Sequence, residues 1–149
     1  MTMTFNYRVP PRSPLASEKV PAWAYEGSPY FHYTFGGIVQ GAQETINLVD
    51  QIAGAKKYEQ FDELLIHNDS AYFVYLVWND TWQAGMREDV IILPPSTTLL
   101  IEKKGLRMLT AYNAAPTTGQ DIAALDIRCS FRRKPWGINE IARRRFFER

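Results

Sequence analysis

Cysteine is nearly absent from this 149-residue chain: Cys129 is alone, which excludes an internal disulfide. With only two histidines, His32 and His67, the soft ligands are too few for an ordinary zinc or copper site unless another chain contributes. No long apolar run is present either. The longest, Ala71–Trp78, has eight residues, where a membrane-spanning helix needs about 18–20. The first residues carry no apolar stretch behind a positive charge, so no secretory signal is expected. A Gly-rich phosphate loop, a Gly-x-Ser-x-Gly elbow and a His-Glu-x-x-His helix are all missing. We therefore expect no enzyme, no cofactor and no membrane partner.

What is present is an ordinary globular inventory, 46% hydrophobic, 13% aromatic and 22% charged, in a length that suits one domain. The net charge of +1 hides a partition. Residues 1–127 carry nine Lys/Arg against fourteen Asp/Glu, whereas residues 128–149 carry eight against two. The basic end interleaves its charge with Phe131, Trp136, Phe146 and Phe147.

The other end is broken by proline: Pro10, Pro11, Pro14, Pro21 and Pro29 are five of the nine in the chain. That density interrupts helix and strand alike, so residues 1–36 are expected to form an extended arm. The arm nevertheless holds Phe5, Tyr7, Trp23, Tyr25, Tyr30, Phe31, Tyr33 and Phe35, more rings than a solvated linker carries. Gly36-Gly37 is read as the flexible joint to the body.

From 37 to 132 the apolar period is mostly two, the mark of half-buried strands. Strands are expected around Thr45–Val49, Phe61–His67, Ala71–Trp78, Asp89–Leu93, Thr97–Lys103, Leu106–Asn113 and Ala124–Phe131. Both alternating sets of 71–78 are apolar, which predicts a central strand covered on both sides. Lys104-Gly105 is a candidate hairpin turn. In the last strand Leu125, Ile127, Cys129 and Phe131 are expected to point inward. Successive strands with no long helix between them predict an all-β chain, an antiparallel β-sandwich of jelly-roll or immunoglobulin-like topology. Residues 133–149 form a basic extension, with a short helix expected over 139–148.

Few residues suggest chemistry. His32, His67 and Cys129 match a blue-copper ligand set in type, but no His or Met follows the cysteine at short spacing, so Cys129 reads as a core residue. The pairs Asp62-Glu63 and Glu88-Asp89 could be cast as an acid and base; neighbouring strand residues point to opposite faces, and solvated strand edges are the expectation. Asn68-Asp-Ser70 and Asn79-Asp-Thr81 match a glycosylation sequon and also suit turns.

The basic C-terminus suits three uses: docking on a protein or a second copy, folding back on its own acidic body, or contacting nucleic acid. The partner-binding residues we expect are Trp23, Tyr25, Tyr30, Phe31, Trp136, Arg143, Arg144, Arg145, Phe146 and Phe147. A separate possibility is a sugar- or receptor-binding face built on Tyr72, Tyr75, Trp78 and Trp82.

The segments Leu64-Leu-Ile-His-Asn-Asp-Ser70, Val90-Ile-Ile-Leu-Pro-Pro-Ser96 and Gly105-Leu-Arg-Met-Leu-Thr-Ala-Tyr-Asn113 are similar in style to the strand-and-turn steps of bacteriophage virion proteins. With its arm and basic tail, the chain resembles the small minor capsid, cement or connector-region subunits of that group. The resemblance implies a structural role in an oligomeric assembly, with copies of itself and other virion proteins as partners, formed in the host cytoplasm. It implies no catalytic residues.

Overall fold

In a computed structural model, residues 21–85 and 90–135 are described. They fall into two compact units, Pro29–Arg133 and a second to which the residues before 29 and after 133 belong. In the second unit the described chain forms one short helix, α1 (Trp23–Glu26), which ends where Gly27 takes a positive φ of 77°.

The Pro29–Arg133 unit is an all-β sandwich of eight strands: β1 (Phe31–Thr34), β2 (Gln43–Asn47), β3 (Phe61–Asn68), β4 (Val74–Trp78), β5 (Val90–Leu93), β6 (Thr97–Leu106), β7 (Met108–Asn113) and β8 (Ile127–Arg132). One four-stranded sheet has the order β1-β8-β3-β6 and the other β2-β7-β4-β5, with every pair antiparallel. The pairs β1·β8, β2·β7, β3·β6 and β4·β5 are those of one long hairpin rolled up on itself. This is jelly-roll topology, which settles the choice against the immunoglobulin-like order.

Every connection except β4–β5 carries the chain from one sheet to the other, and polar side chains hold several of these crossings. Asn68, at the end of β3, is fully buried. Its Nδ2 donates to the carbonyls of Tyr72 (2.8 Å) and Pro94 (3.1 Å), and its Oδ1 accepts from the Ser70 N–H (3.0 Å) and hydroxyl (2.6 Å). Asn113, equally buried at the end of β7, donates to the Ile38 and Gln120 carbonyls and accepts from the Ala115 N–H, each at 2.9 Å. Asn79 accepts from the Arg107 and Met108 N–H groups, fixing the point where β6 passes into β7. The sequon amides at 68 and 79 are thus engaged in the fold. Burial of such groups is tolerable only with this degree of pairing.

The core lies between the sheets. Leu64 and Ile66 of β3, Val74 and Leu76 of β4, Leu93 of β5, Leu109 and Ala111 of β7, and Ile127 and Phe131 of β8 all have no exposed surface. The expected inward set of the last strand holds for Ile127, Cys129 and Phe131. It fails for Leu125, which is 68% exposed and has φ of 76° in the turn before β8.

Three further expectations are corrected. Residues 31–35 are body, not arm: β1 pairs with β8 in the register Phe31↔Phe131 to Thr34↔Arg128, and Phe35 is buried. The reason is visible after the last proline of the arm, where Phe31, Tyr33 and Phe35 alternate with His32 and Thr34. Gly36-Gly37 is not a free joint, because the Gly36 N–H donates to Glu44 and a side chain on Gly37 would meet the Ile122 carbonyl at 3.4 Å. Lys104-Gly105 is no hairpin turn; β6 runs through it to Leu106, opposite Phe61, and changes sheet at Arg107. The strand at 71–78 begins only at Val74. It is interior, as expected, and Val77 on its outer side is buried.

Candidate functional site

The antiparallel pairing of β1 with β8 places the start of one beside the end of the other, so the residues before Pro29 and after Arg133 leave the sandwich at one corner. Side chains fix that corner. Glu63, only 6% exposed, accepts the Tyr30 hydroxyl on Oε2 and the Arg132 Nε–H on Oε1, both at 2.8 Å. The Arg132 guanidinium lies 4.9 Å from the centre of the Tyr30 ring, closing a triangle. The hydrogen bond to Glu63 holds the Tyr30 phenol above its ordinary pKa, and the same carboxylate raises that of Arg132. Next to them Arg133, 7% exposed, donates to the Tyr58 carbonyl at 2.8 Å.

Glu63 was expected at a solvated strand edge. The irregularity in β3 between Phe61 and Glu63 shifts the register there, and the carboxylate is covered by Tyr30 and Arg132. Its contacts with these two side chains make it a structural clamp on both exits.

Phe31, expected to meet a partner, packs at home. Its ring centroid lies 5.7 Å from those of Tyr58 and Phe61 and 5.9 Å from that of Phe131. The period-two position that makes Phe31 a strand residue also turns it inward. Tyr30 and Tyr25 keep 46% and 53% of their surface exposed, and Trp23 lies on α1. Trp136, Arg143, Arg144, Arg145, Phe146 and Phe147 lie outside the described residues, as do Glu88, Asp89 and the helix expected over 139–148.

A second cluster occupies the outer face of the β2-β7-β4-β5 sheet. Trp82, in the loop after β4, lies flat on Tyr112 of β7, with centroids 3.8 Å apart and planes 9° from parallel. Tyr75 of β4 continues the group at 5.9 Å from Tyr112. The Gln43 side chain grips the Trp82 backbone, accepting its N–H at 2.8 Å and donating to its carbonyl at 3.1 Å, while Thr110 donates to the Asp80 carbonyl at 2.6 Å. The loop is thereby drawn across the sheet, which explains why Val77 and Thr110 are buried on its outer side. Of the four rings proposed for this face, Tyr75 and Trp82 belong to it. Trp78 points into the core at 7% exposure and Tyr72 lies in the β3–β4 crossing. Tyr112 was not singled out; its place opposite Tyr75 is a cross-strand pairing that no local pattern reveals.

The histidines and the cysteine do not converge. His32 and His67 lie on the outer face of the β1-β8-β3-β6 sheet, bonded through Nδ1 to Ser130 (2.8 Å) and Thr98 (2.7 Å). Cys129 faces the core, and burial pushes its thiol up to about 12. Among the described residues no group of three or more His, Cys, Asp or Glu is placed to hold a metal ion. No protein-family model matches the chain, and no curated protein is similar to it in sequence.

Proposed function

We propose that this chain is a structural subunit of a viral particle, of the minor capsid, cement or connector kind, which docks on its neighbours through the segments outside the sandwich. The observation that supports it most is the corner at Glu63, from which residues 1–28 and 134–149 both depart. A sandwich whose two chain ends lie side by side suits an assembly subunit, since both terminal segments start from one corner and can address the same neighbour. Jelly rolls build viral capsid proteins and also lectins, an analogy at the level of the fold.

Trp23, Tyr25 and the basic residues Arg143, Arg144 and Arg145 are the contacts in this reading, and Tyr30 adds an exposed ring at the corner. Phe31 is withdrawn from the set because it stabilises the body. The test is mass spectrometry of purified particles together with an assembly assay on Tyr25→Ala and a triple Arg143/Arg144/Arg145→Glu variant. The expected result is recovery of the chain in particles and loss of incorporation in both variants with unchanged melting. Recovery only in particle-free fractions refutes the proposal.

The Trp82–Tyr112–Tyr75 group favours a second reading, a saccharide-binding face, because fixed parallel rings suit stacking on a sugar. A glycan array on which Trp82→Ala and the parent chain give the same signal removes it.

A further inference from the structure

The two open edges of the sandwich differ in chemistry. At one, β1 and β2 are joined across the sheets by the Tyr33 hydroxyl, which donates to Glu44 at 2.5 Å, and Glu44 also receives the Gly36 N–H. At the other, among the described residues, β5 and β6 are each paired on one side only. Their side chains are aliphatic and incompletely covered. Ile92 and Leu100 are each 56% exposed, and Val90, Ile91, Leu99 and Ile101 are partly exposed, whereas Leu64, Ile66, Val74 and Leu76 on the interior strands have no exposed surface. A long, aliphatic, one-sided edge strand is a template for pairing with another chain.

The sequence along β6 indicates which chain. Thr97-Thr-Leu-Leu-Ile-Glu-Lys-Lys104 is hydroxyl-bearing at one end, aliphatic in the middle and charged at the other. When it is laid antiparallel on a second copy about a two-fold axis through Leu100, Leu100 meets the other Leu100 and Leu99 meets Ile101. Thr98 then meets Glu102 and Thr97 meets Lys103. Every aliphatic residue faces an aliphatic one, Glu102 and Lys103 face hydroxyls, and no like charges are opposed. Facing residues also share the same parity, so the backbone groups left unpaired by β3 face one another. A two-fold contact requires such self-complementarity. In this register Lys103, a residue type that normally blunts an edge, sits beside the Thr97 hydroxyl.

We infer that the β6 edge is a homodimer interface, formed by two copies pairing β6 with β6 about Leu100 and extending each four-stranded sheet into one of eight strands. The contact belongs to the body. It does not rest on the particle reading, and the terminal variants described above leave it unchanged.

The experiment uses the full chain and single substitutions at exposed sites, so the core is untouched. Sedimentation of the parent chain gives a dimer, and Leu100→Lys, which places two ammonium groups at the axis, weakens it by at least about 100-fold with melting unchanged. Directly opposed side chains in an antiparallel pair have Cβ atoms about 4.5–5.5 Å apart, close to disulfide reach. Mild oxidation of Leu100→Cys therefore gives a covalent dimer, and Val39→Cys, 57% exposed away from this edge, does not. The inference is overturned if the parent chain is monomeric at about millimolar concentration. It is overturned equally if Leu100→Lys associates like the parent, or if Leu100→Cys cross-links no better than Val39→Cys.

Discussion

Replacing Asn68 by aspartate changes one nitrogen to oxygen in a side chain with no exposed surface. In the native chain that nitrogen donates to the Tyr72 and Pro94 carbonyls, and the opposite oxygen accepts twice from Ser70. An ionised carboxylate at this position would keep the Ser70 contacts, lose both donations and aim negative charge at two carbonyls. Each buried group left unpaired costs about 1–3 kcal/mol, so the expected loss at neutral pH is about 3–5 kcal/mol, a large part of a domain's total stability. For a body of this size the melting temperature should fall by roughly 10–20 °C. The pH dependence gives a sharper test. Burial beside carbonyls raises the folded-state pKa of the new carboxyl above its unfolded value near 4, so the folded form holds its proton where the unfolded form has released it. Stability lost to the substitution is therefore smallest below about pH 4 and grows as pH rises. Thermal melts of parent, Asn68→Asp and Asn68→Ala by circular dichroism at several pH values check this. If the difference between Asn68→Asp and the parent is small at pH 7, or does not change with pH, the assigned role of Asn68 is refuted.

Four other outcomes are expected. Phe31→Ala should lower stability by about 2–4 kcal/mol in urea unfolding, because the ring packs on Tyr58, Phe61 and Phe131; a neutral effect would return Phe31 to the partner-binding set. Burial first, and then the hydrogen bond to Glu44, pushes the Tyr33 phenol up to about 12, so stability present below pH 10 is lost as pH rises toward 12. Tyr33→Phe should flatten that alkaline decline, measured by melting at stepped pH. The buried thiol of Cys129, held protonated, should not react with a thiol reagent at pH 8 in the native chain and should react fully in denaturant; rapid native reaction would refute its inward placement. Should the basic C-terminus contact nucleic acid, affinity for a single-stranded oligonucleotide should drop steeply with salt and be abolished by the Arg143/Arg144/Arg145→Glu change; salt-insensitive or absent binding refutes that use of the segment.

Local pattern was sufficient to place most of the strands. Alternation of period two marked β2, β7 and β8 and in part β3, short apolar runs bounded by turn residues marked β5 and β6, and the doubly apolar 71–78 run announced an interior strand, since side chains on a pleated strand must point alternately to its two faces. β1 was legible too, in the alternation of Phe31, Tyr33 and Phe35, but the prolines just before it outweighed that signal. The candidate corner was only half visible. Tyr30 stood out as an aromatic at the root of the arm, whereas Glu63 looked like a surface carboxylate.

Composition and periodicity by themselves determined that the body is all-β, that Ile127, Cys129 and Phe131 share one face, and that opposite ends differ in charge. Tertiary structure alone decided the order of strands, the meeting of Tyr30, Glu63 and Arg132, the stacking of Trp82 on Tyr112, and the exposure of the β5–β6 edge. The physical reason is range. Alternation is set by neighbouring residues along one strand, but Tyr30, Glu63 and Arg132 meet only because β8 pairs with both β1 and β3 in one sheet. Such a register depends on how the buried faces of all eight strands fit together, which is a property of the closed sandwich and not of any segment within it.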